Sequence, residues 1–143
     1  MPDSLVSIAL CTYNGERFLR QQLDSLVNQT YKNIEIIAVD DKSSDQTYSI
    51  LEDYKSRFGF IKIFQNEINL GFRKNFQTAL SKCSGEYLAM SDQDDVWRLD
   101  KIAIQVNQIA NNVLVYHDSA FMDESGQMLN KSMSDVMNFY KGN

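Results

Sequence analysis

Asn33-Ile34-Glu35-Ile36-Ile37-Ala38-Val39-Asp40-Asp41-Lys42-Ser43-Ser44-Asp45-Gln46 decides the fold. The Ile- and Val-rich run Asn33 to Val39 reads as a buried strand, halted by two acids. Ser43-Ser44-Asp45-Gln46 resembles a capping box that starts a helix, with Tyr48, Leu51 and Tyr54 as its buried stripe. The same alternation continues on both sides. Upstream, Leu5 to Leu10 is a short apolar strand ending at Cys11-Thr12-Tyr13-Asn14-Gly15, and Leu19, Leu23, Leu26 and Val27 mark one face of a helix. Downstream come a strand at Phe60 to Phe64 and a helix through Phe72, Phe76, Ala79, Leu80 and Cys83, closed by Gly85. A strand at Glu86 to Met90 comes next, then a helix from Leu99 to Ile109, a fifth strand at Val113 to Tyr116, and a hairpin from Phe121 to Leu129. Strands alternating with helices predict an α/β fold with a mostly parallel sheet flanked by helices.

Composition narrows the function. The chain has 143 residues, about one domain by the usual range of roughly 100–200. It is 43% hydrophobic with a single Pro, which is globular rather than disordered composition. Lys and Arg total 14 against 19 Asp and Glu, a formal net charge of −5 and a pI near 4.8. That balance argues against nucleic acid as a partner, because phosphate neutralisation needs a basic face. A phosphate ligand bridged by a metal remains compatible with it. Cys11 and Cys83 with one His make neither a disulfide framework nor a zinc site, and the two thiols read as small apolar residues. No secretory signal or membrane-length apolar run is visible, so the expectation is a cytoplasmic chain without a span.

In parallel sheets ligands bind beyond the carboxyl ends of the strands. Three of those ends are polar here: Thr12-Tyr13-Asn14, Asp40-Asp41, and Asp92-Gln93-Asp94-Asp95. Three carboxylates within four residues repel one another, and a divalent cation removes the conflict. The competing reading is an exposed acidic turn in which Asp95 caps the segment after it. Asp40-Asp41 is suited to a ribose hydroxyl or a base N–H, or to holding its own loop. Tyr13 is suited to stacking on a base, and the Asn14-Gly15 pair to a plain turn. His117 reads as a surface residue, and Trp97 as packing beneath the acidic loop.

These motifs together resemble a family 2 glycosyltransferase with the GT-A fold, the Rossmann-like fold of nucleotide-diphospho-sugar transferases. The residues that carry the resemblance are Val6-Ser7-Ile8 with Thr12-Tyr13-Asn14, Ile37 to Thr47, Asn69-Leu70-Gly71, and Gly85-Glu86-Tyr87 with Asp92-Gln93-Asp94-Asp95. The Ser91 to Trp97 version is similar to bacterial rhamnosyltransferase-like members that build surface polysaccharide. The resemblance implies a UDP- or dTDP-sugar donor, a saccharide or lipid-linked acceptor, inversion at the anomeric carbon, and Mg²⁺ or Mn²⁺. It matches Asp92 and Asp94 to the metal-binding D-x-D, with Asp92 also near the donor ribose. Asp41 matches the residue facing the base. Thr12, Tyr13 and Asn14 match the nucleotide-binding loop, and Asp95 matches a position that orients the acidic loop or touches the sugar.

The chain departs from the pattern in two places. A basic residue common in the helix after Asn69-Leu70-Gly71 is replaced by Phe76, with Arg73 and Lys74 nearby. The family's catalytic domains are also longer. Residues 1–143 are therefore expected to be a single donor-binding domain, the N-terminal part of a longer enzyme whose base and acceptor site lie further on. Polysaccharide assembly is compatible with peripheral work at the inner face of the membrane. The rival readings are a phosphotransfer fold and a nucleotide-binding module without transfer activity. A receiver domain would carry its acid pair after the first strand, and a D-x-D phosphatase its nucleophile there; Thr12-Tyr13-Asn14 contains no acid.

Overall fold

Side-chain alternation along the two central strands determines what packs on each face of the sheet. The computed structural model describes residues 4–137. Strands β1 (Val6–Thr12), β2 (Ile34–Asp40), β3 (Ile61–Gln65) and β4 (Tyr87–Asp92) are all parallel, in the order β3-β2-β1-β4. Helices α1 (Glu16–Val27), α2 (Thr47–Arg57), α3 (Phe72–Ser81) and α4 (Lys101–Ile109) connect or follow them. Every residue of β1 and β2 is buried, as expected for inner strands covered on both faces. Ile8, Leu10, Ile36 and Ala38 point to one face, where they meet Leu19, Leu23 and Leu26 of α1, Ile50, Leu51 and Tyr54 of α2, and Trp97, Ile102 and Val106. Their neighbours Ala9, Cys11, Ile37 and Val39 point to the other face, against Phe76 and Ala79 of α3. Each fully buried Leu or Ile contributes roughly 1.5–3 kcal/mol.

The chain separates into two compact units, dividing between Ala110 and Asn111. The first holds the parallel sheet and its helices. The second holds an antiparallel hairpin of β5 (Ala120–Met122) and β6 (Met128–Ser132), with a 3₁₀ turn at Met133–Asp135 after it. Gly126 makes the hairpin turn with φ 85°.

Four expectations change. Val113 to Tyr116 is not a strand: among the described residues no ladder includes it, and Val113 and Leu114 are exposed. A strand needs a neighbour to take its backbone hydrogen bonds, and an apolar run alone does not supply one. The fourth helix begins at Lys101, because the backbone of Leu99 is diverted to accept from Thr30 N at 2.7 Å. The Ser43 to Gln46 capping box does not form; Ser43 Oγ accepts from Asn14 N in the first loop, and Asp45 accepts from Glu16 N and Thr47 N at the starts of α1 and α2. Gly85 is not the stop of α3, which ends at Ser81 with Lys82 as its cap. It is glycine because the turn into β4 runs against β1: an added Cβ would lie 2.7 Å from both Leu5 O and Ser7 N.

Candidate functional site

The chain builds from β1 through β2 to β3, then crosses back to lay β4 on the other side of β1. Such a reversal opens a crevice beyond the carboxyl ends of the two strands it separates. Here those ends carry Thr12 to Gly15 and Asp92 to Asp95. The register brings Thr12 level with Asp40 and Cys11 level with Asp92.

A double hydrogen bond crosses the crevice. Tyr13 N donates to Gln93 Oε1 at 2.8 Å, and Gln93 Nε2 donates back to Tyr13 O at 2.9 Å. Gly15 leaves the space this requires, since a Cβ there would overlap the Gln93 amide. Tyr13 keeps its ring half exposed, available for stacking. Asn14, at φ 46°, joins the first loop to the second: its N donates to Ser43 Oγ at 2.9 Å and its Oδ1 accepts from Ser44 N at 2.8 Å. Asn is among the few residues that tolerate this left-handed backbone. Gly15 N donates to Thr47 Oγ1, Glu16 N to Asp45, and Gln46 N to Glu16 Oε2, so the starts of α1 and α2 satisfy each other's free N–H groups. Burial pushes the Asp45 carboxyl up, but hydrogen bonds from Thr47 and Glu16 outweigh it and hold it below its ordinary range.

The adjacent acids have different partners. Asp40 is fully buried and accepts from Thr12 Oγ1 (3.0 Å), Ser43 N (3.0 Å), Gln65 Nε2 (2.9 Å) and the Ser43 hydroxyl. The Thr12 hydroxyl is therefore turned inward. Asp41 is the hub of the other side. Its N donates to Thr12 O at 2.8 Å. Its carboxylate accepts from Asn66 Nδ2 (2.7 Å), Leu70 N (2.8 Å) and Gly71 N (2.8 Å). Asn69-Leu70-Gly71 thus folds its amides onto Asp41. Three of roughly four acceptor positions of that carboxylate are filled.

Asp92, Asp94 and Asp95 are exposed at the end of β4. Partial burial, then the charges of Asp95 and Asp94, raise the Asp92 carboxyl above its ordinary value. Burial, then the charges of Asp92 and Asp41, push the Cys11 thiol up to about 12, which removes it as a nucleophile. The segments flanking the acidic loop are fixed by three buried polar side chains, two on α1 and one just after it. Gln22 bonds Ser91, Ser25 Oγ accepts from Trp97 N at 3.1 Å, and Gln29 spans Arg98 O (2.8 Å) and Ile102 N (3.1 Å). Trp97 is buried in the core beyond the loop, with Lys101 Nζ 3.5 Å from its ring centroid. Burial lowers Lys101 to about 8, partly offset by Asp95.

All the sequence-predicted site residues, Thr12, Tyr13, Asn14, Asp41, Asp92, Asp94 and Asp95, lie at or just beyond the carboxyl ends of β1, β2 and β4. Phe76 is buried under the sheet, whereas Arg73 and Lys74 stay exposed beside Leu70 and Gly71. His117 belongs to the second unit, where its ring bonds Asp118 O. Asn66, Asn75, Gln22, Ser25 and Gln29 also build the site and carried no motif, and Gln93 lay in the acidic motif without a role assigned to it. The available signal was polar residues at the apolar spacing of α1 and α3.

The fold is shared with Staphylococcus aureus TarS (residues 1–349) in complex with UDP, at a TM-score of 0.69 and 28% identity, covering 82% of this chain and 39% of TarS. It is shared also with the mannosyltransferase PcManGT of Pyrobaculum calidifontis in complex with GDP-Man and Mn²⁺, at TM-score 0.71 and 22% identity, covering 83% of this chain and 35% of that one. The architecture is thus the GT-A glycosyltransferase fold. Residues 7–141 match Glycosyl transferase family 2, and the chain belongs to that family. Among its curated relatives is the Escherichia coli UDP-Glc:alpha-D-GlcNAc-diphosphoundecaprenol beta-1,3-glucosyltransferase WfgD, 38% identical over 113 residues, which cover 78% of this chain and 44% of WfgD. The chain spans 28 to 51% of the length of three curated relatives it matches. Among the described residues no helix is long and apolar enough to cross a membrane.

Proposed function

We propose that residues 1–143 supply the donor-binding part of an inverting hexosyltransferase. It takes a UDP- or dTDP-sugar and glycosylates a saccharide or lipid-linked acceptor in bacterial surface polysaccharide synthesis, on the cytoplasmic side and peripheral to the membrane. The observation that carries the reading is the Tyr13–Gln93 double hydrogen bond, which joins a loop with an exposed aromatic ring after β1 to the acidic loop after β4. Family membership, the UDP complex of TarS and the lipid-linked acceptor in the name of WfgD support it.

In this reading Tyr13 and Asp41 hold the base, and Asn14 fixes the loop between them. Asp92 and Asp94 offer hard carboxylate oxygens, a donor set that suits Mg²⁺ or Mn²⁺. Among the described residues no three His, Cys, Asp or Glu side chains converge as a metal site. Asp92 and Asp94 would be the residues of this chain that hold such a metal, with substrate oxygens and water free to supply further ligands. The raised Asp92 carboxyl fits that role, because a cation relieves its repulsion from Asp94 and Asp95. When bound, such a metal neutralises charge on the departing nucleoside diphosphate. Asp95 is positioned in sequence to orient this loop or meet the sugar. The loops of this chain contribute positioning, which lowers the barrier by pre-arranging donor and leaving group. Inversion rests on the family resemblance and is read from the anomeric configuration of the product.

Calorimetric titration with UDP and dTDP, with and without Mn²⁺, tests the assignment on the wild type and Asp94→Ala. Mn²⁺-dependent binding lost in Asp94→Ala is the expected result. A folded chain that binds neither nucleotide overturns it. Binding without sugar transfer would make this chain a nucleotide-binding module whose chemistry needs residues from elsewhere.

A further inference from the structure

We propose that Asn75, which touches neither the crevice nor Asp41, is a positioning residue for Asp41 and acts through Asn66. The inference rests on the reading of Asp41 as part of the nucleotide site. Asn75 lies in the first turn of α3 and is 2% exposed, on the face that covers the sheet. A buried Asn on an apolar helix face costs free energy unless its amide is satisfied. Here it is satisfied in a directed way. Nδ2 donates to Val39 O at 2.9 Å, two residues before Asp41. Oδ1 accepts from Asn66 Nδ2 at 2.9 Å.

Asn66 completes the relay. Its Nδ2 also donates to Asp41 Oδ1 at 2.7 Å, so the two hydrogens of one amide point to Asn75 and to Asp41. The reversed amide would turn an oxygen toward the Asp41 carboxylate, so the network permits one orientation. Asn66 N is held in turn by Asp40 O at 2.9 Å. The circuit runs from the end of β2 through α3 and the residue after β3, and returns to Asp41. It is the only side-chain support of the Asp41 carboxylate among the described residues; its other partners are the amides of Leu70 and Gly71. Without Asn75 Oδ1, the Asn66 amide loses the bond that sets its plane. Asp41 Oδ1 then keeps Leu70 N and Oδ2 keeps Gly71 N, but the side-chain bond that fixes the tilt of the carboxylate between those two amides is weakened.

The test uses the 143-residue chain and two probes, UDP and inorganic pyrophosphate, each titrated with Mn²⁺. The variants are Asn75→Ala, Asn66→Ala, the double variant and Asp41→Asn. Each single Asn variant is expected to weaken UDP about tenfold, the worth of one or two buried polar contacts. Pyrophosphate, which lacks a base, should bind unchanged. The double variant should match the weaker single one, because the two residues act in series. A variant that merely loosened the fold would weaken both probes together. Unchanged UDP binding in folded Asn75→Ala and Asn66→Ala, with loss in Asp41→Asn, overturns the relay and leaves Asp41 in its site. Unchanged UDP binding in Asp41→Asn overturns the reading of Asp41 and the relay with it. Asn66 is half-buried, so its variant decides the matter even where Asn75→Ala does not fold.

Discussion

Glu35→Gln is expected to destabilise the protein at neutral pH and to lose most of that effect in acid. Glu35 lies in the all-buried strand β2, level with Ser7 of β1. Its Oε1 accepts from Ser7 Oγ at 2.6 Å, Ser84 N at 2.8 Å and Ser84 Oγ at 2.7 Å, and its Oε2 meets Lys62 Nζ at 2.9 Å. Burial alone would raise this carboxyl, but the bonds from Ser7, Lys62 and Ser84 outweigh it and bring it down to about 2 from an ordinary 4.5. A shift of that size corresponds to about 3 kcal/mol at neutral pH. The Lys62 side chain is 55% exposed, so solvent screens its part, and about 2 kcal/mol is the working figure. The sign comes from proton counting. Between pH 2 and 4.5 the unfolded chain holds the proton and the folded chain does not, so the contribution is complete above 4.5 and vanishes as pH falls toward 2. Urea denaturation of wild type and variant in parallel from about pH 7 to about pH 3 reads the gap, and the subtraction removes the other carboxylates. Equal stability at neutral pH, or a gap that stays constant into the acid range, would refute the reasoning.

Two glycines give further tests. Gly15→Ala should displace the Gln93 amide and open the Tyr13 clamp, leaving the melting temperature nearly unchanged while UDP affinity falls about tenfold for the two bonds lost; calorimetry beside a thermal melt separates the two effects. Gly85→Ala should behave oppositely, because its Cβ meets β1 backbone far from the crevice: a loss of about 1–3 kcal/mol by urea denaturation, typical of overpacking.

The parallel sheet was legible because Ile34 to Val39 and Leu5 to Leu10 are too apolar and too short to be anything but inner strands. The place of the acidic loop was legible because an apolar strand, Glu86 to Met90, runs directly into it. What stayed hidden has one physical origin. Polar residues were read as solvent-facing, and several are buried partners of backbone groups. Gln22 lies between Leu19 and Leu26 and looked like the wet side of α1, yet it is fully buried against Ser91. Gln93 sits between two acids and carried no role of its own, yet it ties the acidic loop to Tyr13. Asn75 and Asn66 bond each other across nine residues, a pairing that no helical or strand period marks. Val113 to Tyr116 failed in the opposite direction, since apolarity marks a wish for cover and not the partner that provides it.

The two ends of the crevice are prepared to different degrees, and that difference bears on how a donor would bind. At the Asp41 end the polar groups are already spent on one another: the Asp40 and Asp41 carboxylates accept from Thr12, Ser43, Gln65, Asn66 and the Leu70–Gly71 backbone before any ligand arrives. A base entering there meets fixed acceptors, so little ordering entropy opposes it. At the Asp92 end the flanking backbone is equally fixed, by Gln22, Ser25 and Gln29, but the carboxylates are exposed, and partial burial, then the charges of Asp95 and Asp94, raises the proton affinity of Asp92. On the proposed reading, a bound cation completes that end. Nucleoside affinity should therefore depend on the hydrogen-bond circuit around Asp41, and diphosphate affinity on the cation. The Tyr13–Gln93 clamp is the element common to both.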